Sequence, residues 1–196
     1  PQAVLYAVGV SLGGNQVALF CGKRSEAAKE LLTAAVSVGA PVDLVAGSNL
    51  LKQGFNRVYS EMFLNSLIPK VLKKMELHPE LEKLIDREAI KKCVNFYDFD
   101  SLFTAPVHGF KNAMDYWTQC SAKPWLKNIQ IPFLLLNARN DPFLPEWALP
   151  TLNDVSDMVW LDQPKEGGHI GFPTGNPPGR VDYLPERIFR FFLEKK

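Results

Sequence analysis

The chain has 196 residues, 46% of them hydrophobic and 22% charged, with a formal net charge of +1. That balance fits one globular domain with an inserted subdomain. It offers no basic patch for nucleic acid, and no apolar run approaches the roughly 18 residues of a membrane span. The three cysteines, Cys21, Cys93 and Cys120, lie far apart with no Cys-x-x-Cys pair. This predicts reduced, buried thiols rather than a disulfide framework or a zinc site, and the histidines likewise lack ligand spacing, so no metal or organic cofactor is expected.

The first predicted element is an apolar strand over Ala3 to Val8, followed at once by Gly9-Val10-Ser11-Leu12-Gly13 and then by a helix from Gln16 to about Cys21. Strand, tight turn with a central Ser, then helix is the context in which a nucleophile elbow forms. Gly9 and Gly13 remove the side chains that would crowd so sharp a turn. Thr33 to Val42 reads as the next strand, which makes a βαβ unit and implies a parallel sheet covered by helices. From about Ala46 to Lys127 the apolar spacing turns helical, most clearly from Val58 to Met75, where Pro69 is expected to start a second helix. Glu80 to Cys93 and Asn112 to Cys120 continue the helical block. Strand signals return at Ile131 to Leu136, which ends in the polar turn Asn137 to Pro142, and at Met158 to Leu161, which leads into Glu166-Gly167-Gly168-His169. Pro185 to Lys196 closes the chain as an amphipathic helix, with Ile188, Phe189, Phe192 and Leu193 on one face.

Three residues stand in a chemically meaningful order: Ser11 after the first strand, Asp141 after the third, His169 after the fourth. Loops that follow parallel strands share one edge of the sheet, so these positions can converge there. A Ser hydroxyl becomes a useful nucleophile when His accepts its proton, and a carboxylate holds the His tautomer. The Leu12 amide would face a developing oxyanion. Taken singly, Asp141 could cap a turn and His169 could be a solvated loop residue; the joint placement favours a triad. His78 reads as an exposed helix start. His108, within the helical block, could line a pocket but follows no strand.

Further motifs accompany the elbow Gly9-Val10-Ser11-Leu12-Gly13-Gly14-Asn15. They are Gly54-Phe55-Asn56-Arg57-Val58-Tyr59, Phe96-Tyr97-Asp98-Phe99-Asp100, Leu102-Phe103-Thr104, His108-Gly109-Phe110, Asp115-Tyr116-Trp117, Cys120-Ser121, Asn140-Asp141-Pro142-Phe143 and Gly167-Gly168-His169-Ile170-Gly171-Phe172. Together they resemble the YheT-like branch of the α/β-hydrolases, which is similar to mammalian ABHD esterases and phospholipases and to fungal medium-chain acyl ester synthases. The resemblance implies an α/β-hydrolase fold, a mostly parallel sheet with a helical cap insertion. It divides the chain into hydrolase core at 1–45 and 128–196 and a cap or lid at 46–127. It implies Ser11 as nucleophile, Asp141 as acid, His169 as base, and a small-molecule acyl ester or lipid-like substrate.

Family members carry a long N-terminal half that supplies further strands and a second oxyanion amide, whereas this chain opens inside the nucleophile strand and without Met. The expectation is therefore a missing N-terminal half and an unpaired apolar edge on the first strand; localisation stays open. The apolar face of Val58 to Met75, flanked by Lys70, Lys73 and Lys74, is ordinary packing surface or, on the sharper reading, a peripheral membrane contact. The leading function is a serine hydrolase acting on carboxylic esters through an acyl-enzyme. Acyl transfer to an alcohol uses the same residues, and a non-catalytic α/β-hydrolase-like binding module is the reading from another class.

Overall fold

The computed structural model describes residues 3–176 and 179–195. The chain divides into two compact units, one made of residues 1–46 and 121–196 and the other of residues 47–120.

The first unit is built on four strands, β1 (Tyr6–Val10), β2 (Ala34–Val38), β3 (Phe133–Leu136) and β4 (Val159–Asp162), arranged side by side in chain order. All three pairings are parallel, with Val8 opposite Val36, Val36 opposite Leu134, and Leu134 opposite Trp160. Helices α1 (Leu12–Lys23) and α2 (Ser25–Leu31) connect β1 to β2, the kind of crossover that parallel strands require. Every residue of β2 and β3 is buried, so these segments read as unbroken apolar runs rather than alternating ones. On one face Ala35, Phe133 and Leu135 pack with Ala18 and Cys21 of α1 and with Leu126 and Ile129. On the other, Val36, Val38, Leu134 and Leu136 meet Phe191 and Phe192 of the closing helix. Full burial of each such side chain is worth about 1.5–3 kcal/mol, so β2 and β3 with their two covers form the thermodynamic centre of the unit.

The strand boundaries differ from the sequence expectation. β1 begins at Tyr6 and reaches Val10, whereas Ala3, Val4 and Leu5 precede it, exposed. α1 starts directly after Ser11 rather than at Gln16. Three glycines make this helix intrinsically weak. Packing compensates, because a Cβ on Gly9 would fall 2.3 Å from the Gly13 carbonyl oxygen and one on Gly14 would fall 2.7 Å from Ser37 Oγ. Strand and helix thus approach at a distance only glycine allows.

The second unit begins within α3 (Leu44–Leu51). It contains α4 (Asn56–Leu77), a 3₁₀ turn at Pro79–Lys83, α5 (Arg87–Lys91), α6 (Phe96–Phe99), a π turn at Asp100–Thr104, α7 (Ala105–His108) and α8 (Ala113–Cys120). α4 is one helix: it runs through Pro69, and no second helix starts there. Leu64, Val71 and Met75 on its inner face pack with Ile85, Ile90, Cys93 and Phe99, and this cluster holds the segment across the proline. The stretch expected to be helical from Glu80 to Cys93 is the 3₁₀ turn and short α5, whose start is capped by Asp86 accepting from the Glu88 and Ala89 amides. No helix among the described residues is long and apolar enough to cross a membrane.

The chain ends in α9 (Tyr183–Glu194); Lys196, included in the expected helix, lies outside the described residues. Its buried face is Phe191 and Phe192 with Leu184 and Ile188, whereas Phe189 and Leu193 are exposed, contrary to the expected face. Two anchors set that rotation. Tyr6 stacks on Phe192 with ring centroids 4.4 Å apart, and Arg187 Nε donates to Asp162 Oδ2 at 2.7 Å, tying α9 to the end of β4.

Candidate active site

β1, β3 and β4 each end at the same edge of the parallel sheet, and their loops carry Ser11, Asp141 and His169. Ser11 occupies the single residue between β1 and α1. Its backbone lies at φ 54°, ψ −126°, a region non-glycine residues rarely adopt, and its amide donates to Val38 O at 2.8 Å. Strained backbone persists only where the surroundings over-determine it; here the close Gly9–Gly13 packing and the Val38 bond do so. The turn leaves the Leu12 amide at the head of α1, the positive end of the helix dipole.

The three side chains form one hydrogen-bonded line. Ser11 Oγ lies 2.9 Å from His169 Nε2, and His169 Nδ1 lies 2.9 Å from Asp141 Oδ2 and 3.1 Å from Oδ1. A carboxylate only accepts, so Nδ1–H donates to Asp141 and the Nε2 lone pair faces the Ser11 hydroxyl, which donates to it. The Asp141 side chain is fully buried and that of His169 is 15% exposed, so this line is largely shielded from water.

Neighbours support each member. The Phe143 amide donates to Asp141 Oδ1 at 2.8 Å, and the Phe143 ring meets the imidazole with centroids 4.5 Å apart and planes at 73°. Asn140 Oδ1 accepts from the Gly168 amide at 2.9 Å, holding the His169 loop to the loop of Asp141. Asn137, fully buried at the end of β3, donates through Nδ2 to Ala40 O at 3.0 Å. Asn15 Oδ1 accepts from the Ala122 amide at 2.9 Å, fixing the start of α1. Sequence pattern alone gives Asn137, Asn140 and Phe143 no separate role. Asn137 shows only as the polar residue that ends an all-apolar strand, and Asn140 and Phe143 only as members of the Asn140-Asp141-Pro142-Phe143 motif.

Other candidate groups stand elsewhere. His108 is exposed at the end of α7, in the second unit, and His78 at the end of α4 lies 3.3 Å from Glu80 Oε1. Burial pushes the Cys21 thiol up to about 12 and raises that of Cys93, which makes both poor nucleophiles. Among the described residues no group of three or more His, Cys, Asp or Glu could hold a metal ion.

The parallel sheet brings Ser11, Asp141 and His169 to one edge, and the comparisons give the class of the fold. Residues 1–175 match the family model described as the alpha/beta hydrolase fold, and the chain belongs to that family. It is 37% identical over 182 residues to YheT of Escherichia coli, covering 93% of this chain and 53% of that protein. It is 32% identical over 195 residues to Phospholipase ABHD3 of Mus musculus, covering 99% of this chain and 46% of that protein. A Monoacylglycerol lipase of Saccharomyces cerevisiae is 30% identical over 179 residues, with 88% of this chain and 39% of that protein covered. The chain thus spans about half the length, or less, of these relatives. Among solved structures, an alpha/beta fold family hydrolase from Bacillus anthracis str. Sterne superposes with a TM-score of 0.50 at 16% identity, over 98% of this chain and 67% of that one, a likeness of fold.

Proposed function

We propose that the chain carries the catalytic triad of a serine hydrolase that cleaves carboxylic esters, with an acyl or lipid-like substrate. The observation that carries this reading is the continuous line from Asp141 through His169 to Ser11, with both donor–acceptor distances at 2.9 Å. In the reaction, Ser11 Oγ attacks the acyl carbon while its proton passes to His169 Nε2. Asp141 holds the imidazole tautomer and stabilises the imidazolium. The tetrahedral oxyanion takes a hydrogen bond from the Leu12 amide, at the positive end of α1. Collapse expels the alcohol, protonated from Nε2, and leaves the acyl group on Ser11 Oγ. Water then attacks the acyl-enzyme, giving its proton to Nε2, and Ser11 is regenerated as the acid departs.

The names of the relatives, a phospholipase and a monoacylglycerol lipase, support an ester of lipid type. We assign the inserted helical unit the role of the cap of this hydrolase. Phe55, Val58 and Met62, exposed at the start of α4, support a peripheral contact with a lipid surface. An N-terminal portion, such as the additional length of the relatives provides, would lay a further strand against β1. The position of β1 at the outside of the sheet, with β2 on one side of it only among the described residues, supports that pairing, and the exposed Val8 and Val10 support a cover over its face.

The test is covalent labelling by a fluorophosphonate probe in the full-length protein. Labelling of the wild type that disappears in Ser11→Ala and falls by at least about a thousandfold in rate in His169→Ala is the expected result. Equal labelling of wild type and Ser11→Ala would exclude Ser11 as the nucleophile.

A further inference from the structure

We propose that Phe143 is a positioning residue for His169, an inference that rests on the serine-hydrolase reading. Phe143, two residues after Asp141, reaches back in two ways. Its amide donates to Asp141 Oδ1 at 2.8 Å, and its ring stands against the imidazole with centroids 4.5 Å apart at 73°. One residue therefore orients both the acid and the base.

The need for the ring follows from what else holds the imidazole. The two hydrogen bonds on His169 lie at its edges, Nδ1 to Asp141 and Nε2 to Ser11. Once Ser11 Oγ carries an acyl group it has no proton to donate, and the Nε2 bond is gone. The Asp141 bond alone then acts as a pivot about which the ring can swing. Contact with the Phe143 ring, made side-on and independent of proton position, restrains that swing through both halves of the cycle. His169 then stays where it can accept the proton of the deacylating water.

The experiment compares Phe143→Ala, Phe143→Leu and Phe143→Tyr with the wild type in the full-length protein. Each is followed by the rate and the final stoichiometry of fluorophosphonate labelling, and by kcat and KM on a short p-nitrophenyl ester. Truncation to Ala removes the ring and leaves the backbone amide in place. An aromatic contact of this kind corresponds to a roughly 3- to 10-fold effect on rate. The expected result is a labelling rate and a kcat reduced by about that factor in Phe143→Ala, with full final stoichiometry and KM within about twofold. Phe143→Tyr should recover the wild-type values, and Phe143→Leu should fall between. The full final stoichiometry shows that the site remains folded. A Phe143→Ala rate within about twofold of wild type would overturn the inference, as would equal losses in Ala and Tyr. A drop in stoichiometry at unchanged rate, with Phe143→Leu at the wild-type rate, would overturn it too and leave Phe143 a role in stability only. Failure of the wild type itself to label would instead overturn the serine-hydrolase reading, and this inference with it.

Discussion

Replacing Val8 by Lys tests whether an N-terminal portion covers the open face of β1. Val8 lies in the middle of that strand and is 46% exposed; Val10 is 42% exposed, and Phe20 of α1 is 37% exposed. Tyr6, Val8 and Val10 share the face of the sheet on which α9 packs, but the helix covers only Tyr6, through Phe192. The outer edge of β1 borders a groove of about 540 Å³ lined by Val8, Val10, Val17, Phe20 and Leu32 among others. Tyr6–Val10 carries no charge or proline, the devices that normally protect an exposed edge. Full burial of a Val or Phe is worth about 1.5–3 kcal/mol, so covering the exposed part of these three gains roughly 3 kcal/mol. That is a substantial fraction of the 5–15 kcal/mol that holds a typical domain. In residues 1–196 alone, Val8→Lys should shift the stability by less than about 0.5 kcal/mol, the usual range for a surface change, and should lower binding of a hydrophobic dye. Within a longer polypeptide that supplies an N-terminal portion, the same lysine would sit beneath a strand and its helices. There it should cost about 3 kcal/mol or more, through lost burial and an unpaired charge. Chemical denaturation of both lengths, with dye fluorescence alongside, measures the difference. A neutral Val8→Lys in the longer polypeptide would show that this face of β1 stays open to solvent there, and the assigned cover would be wrong.

Two further substitutions address the ties within each unit. Asn140→Ala removes the acceptor of the Gly168 amide and should slow labelling of Ser11 roughly fivefold, the equivalent of about 1 kcal/mol for one hydrogen bond, whereas Asn140→Asp, which keeps the oxygen, should stay within about twofold; labelling kinetics that do not separate the two variants would refute the tie. Burial raises the Asp100 carboxyl above its usual range, against the opposing hydrogen bonds from Thr104 Oγ1 and Trp117 Nε1 at 2.6 and 2.7 Å. The folded state therefore binds this proton more tightly than the unfolded chain. The resulting stabilisation is fully present below the ordinary carboxylate value of about 4 and is lost as pH rises through the raised folded value. Asp100→Asn, whose amide can accept from Trp117 and donate to Thr104, should flatten that part of the stability–pH curve, and parallel wild-type and variant curves across the window would contradict the assignment.

Much of the architecture is written in local pattern. β2 and β3 are unbroken apolar runs because both faces of a parallel sheet are covered, and the polar loops that follow β1, β3 and β4 place Ser11, Asp141 and His169 at one sheet edge. Less legible were features decided by neighbours distant in the chain. The continuity of α4 through Pro69 depends on Leu64, Val71 and Met75 finding partners near residues 85–99. The buried face of α9 is chosen by Tyr6 and Asp162 rather than by the spacing of its own apolar residues, which offers Phe189 and Leu193 equally well. Asn140 and Phe143 act on residues 28 and 26 positions away, and no period or motif in the chain marks such a pairing.

The strand that contributes no candidate catalytic side chain carries the others. β2 lies between β1 and β3, and its last carbonyl, that of Val38, accepts from the Ser11 amide at 2.8 Å. One residue on, the Gly39 amide donates to Leu136 O at 2.9 Å, and Gly39, at φ 55°, passes so close to the His169 carbonyl that a Cβ placed there would fall 2.3 Å from its oxygen. Ala40 then exchanges two hydrogen bonds with the Asn137 side chain, at 3.0 and 3.3 Å, at the start of the loop that carries Asp141. Val38, the last residue of β2, and the two residues that follow it thus touch the segments that carry Ser11, His169 and Asp141. A buried central strand is the most rigid base a sheet provides, and hydrogen-bond geometry within the Ser11–His169–Asp141 line tolerates displacements of only a few tenths of an ångström. Placing the shared support on β2 makes the relative positions of the three loops depend on one rigid segment rather than on three flexible ones.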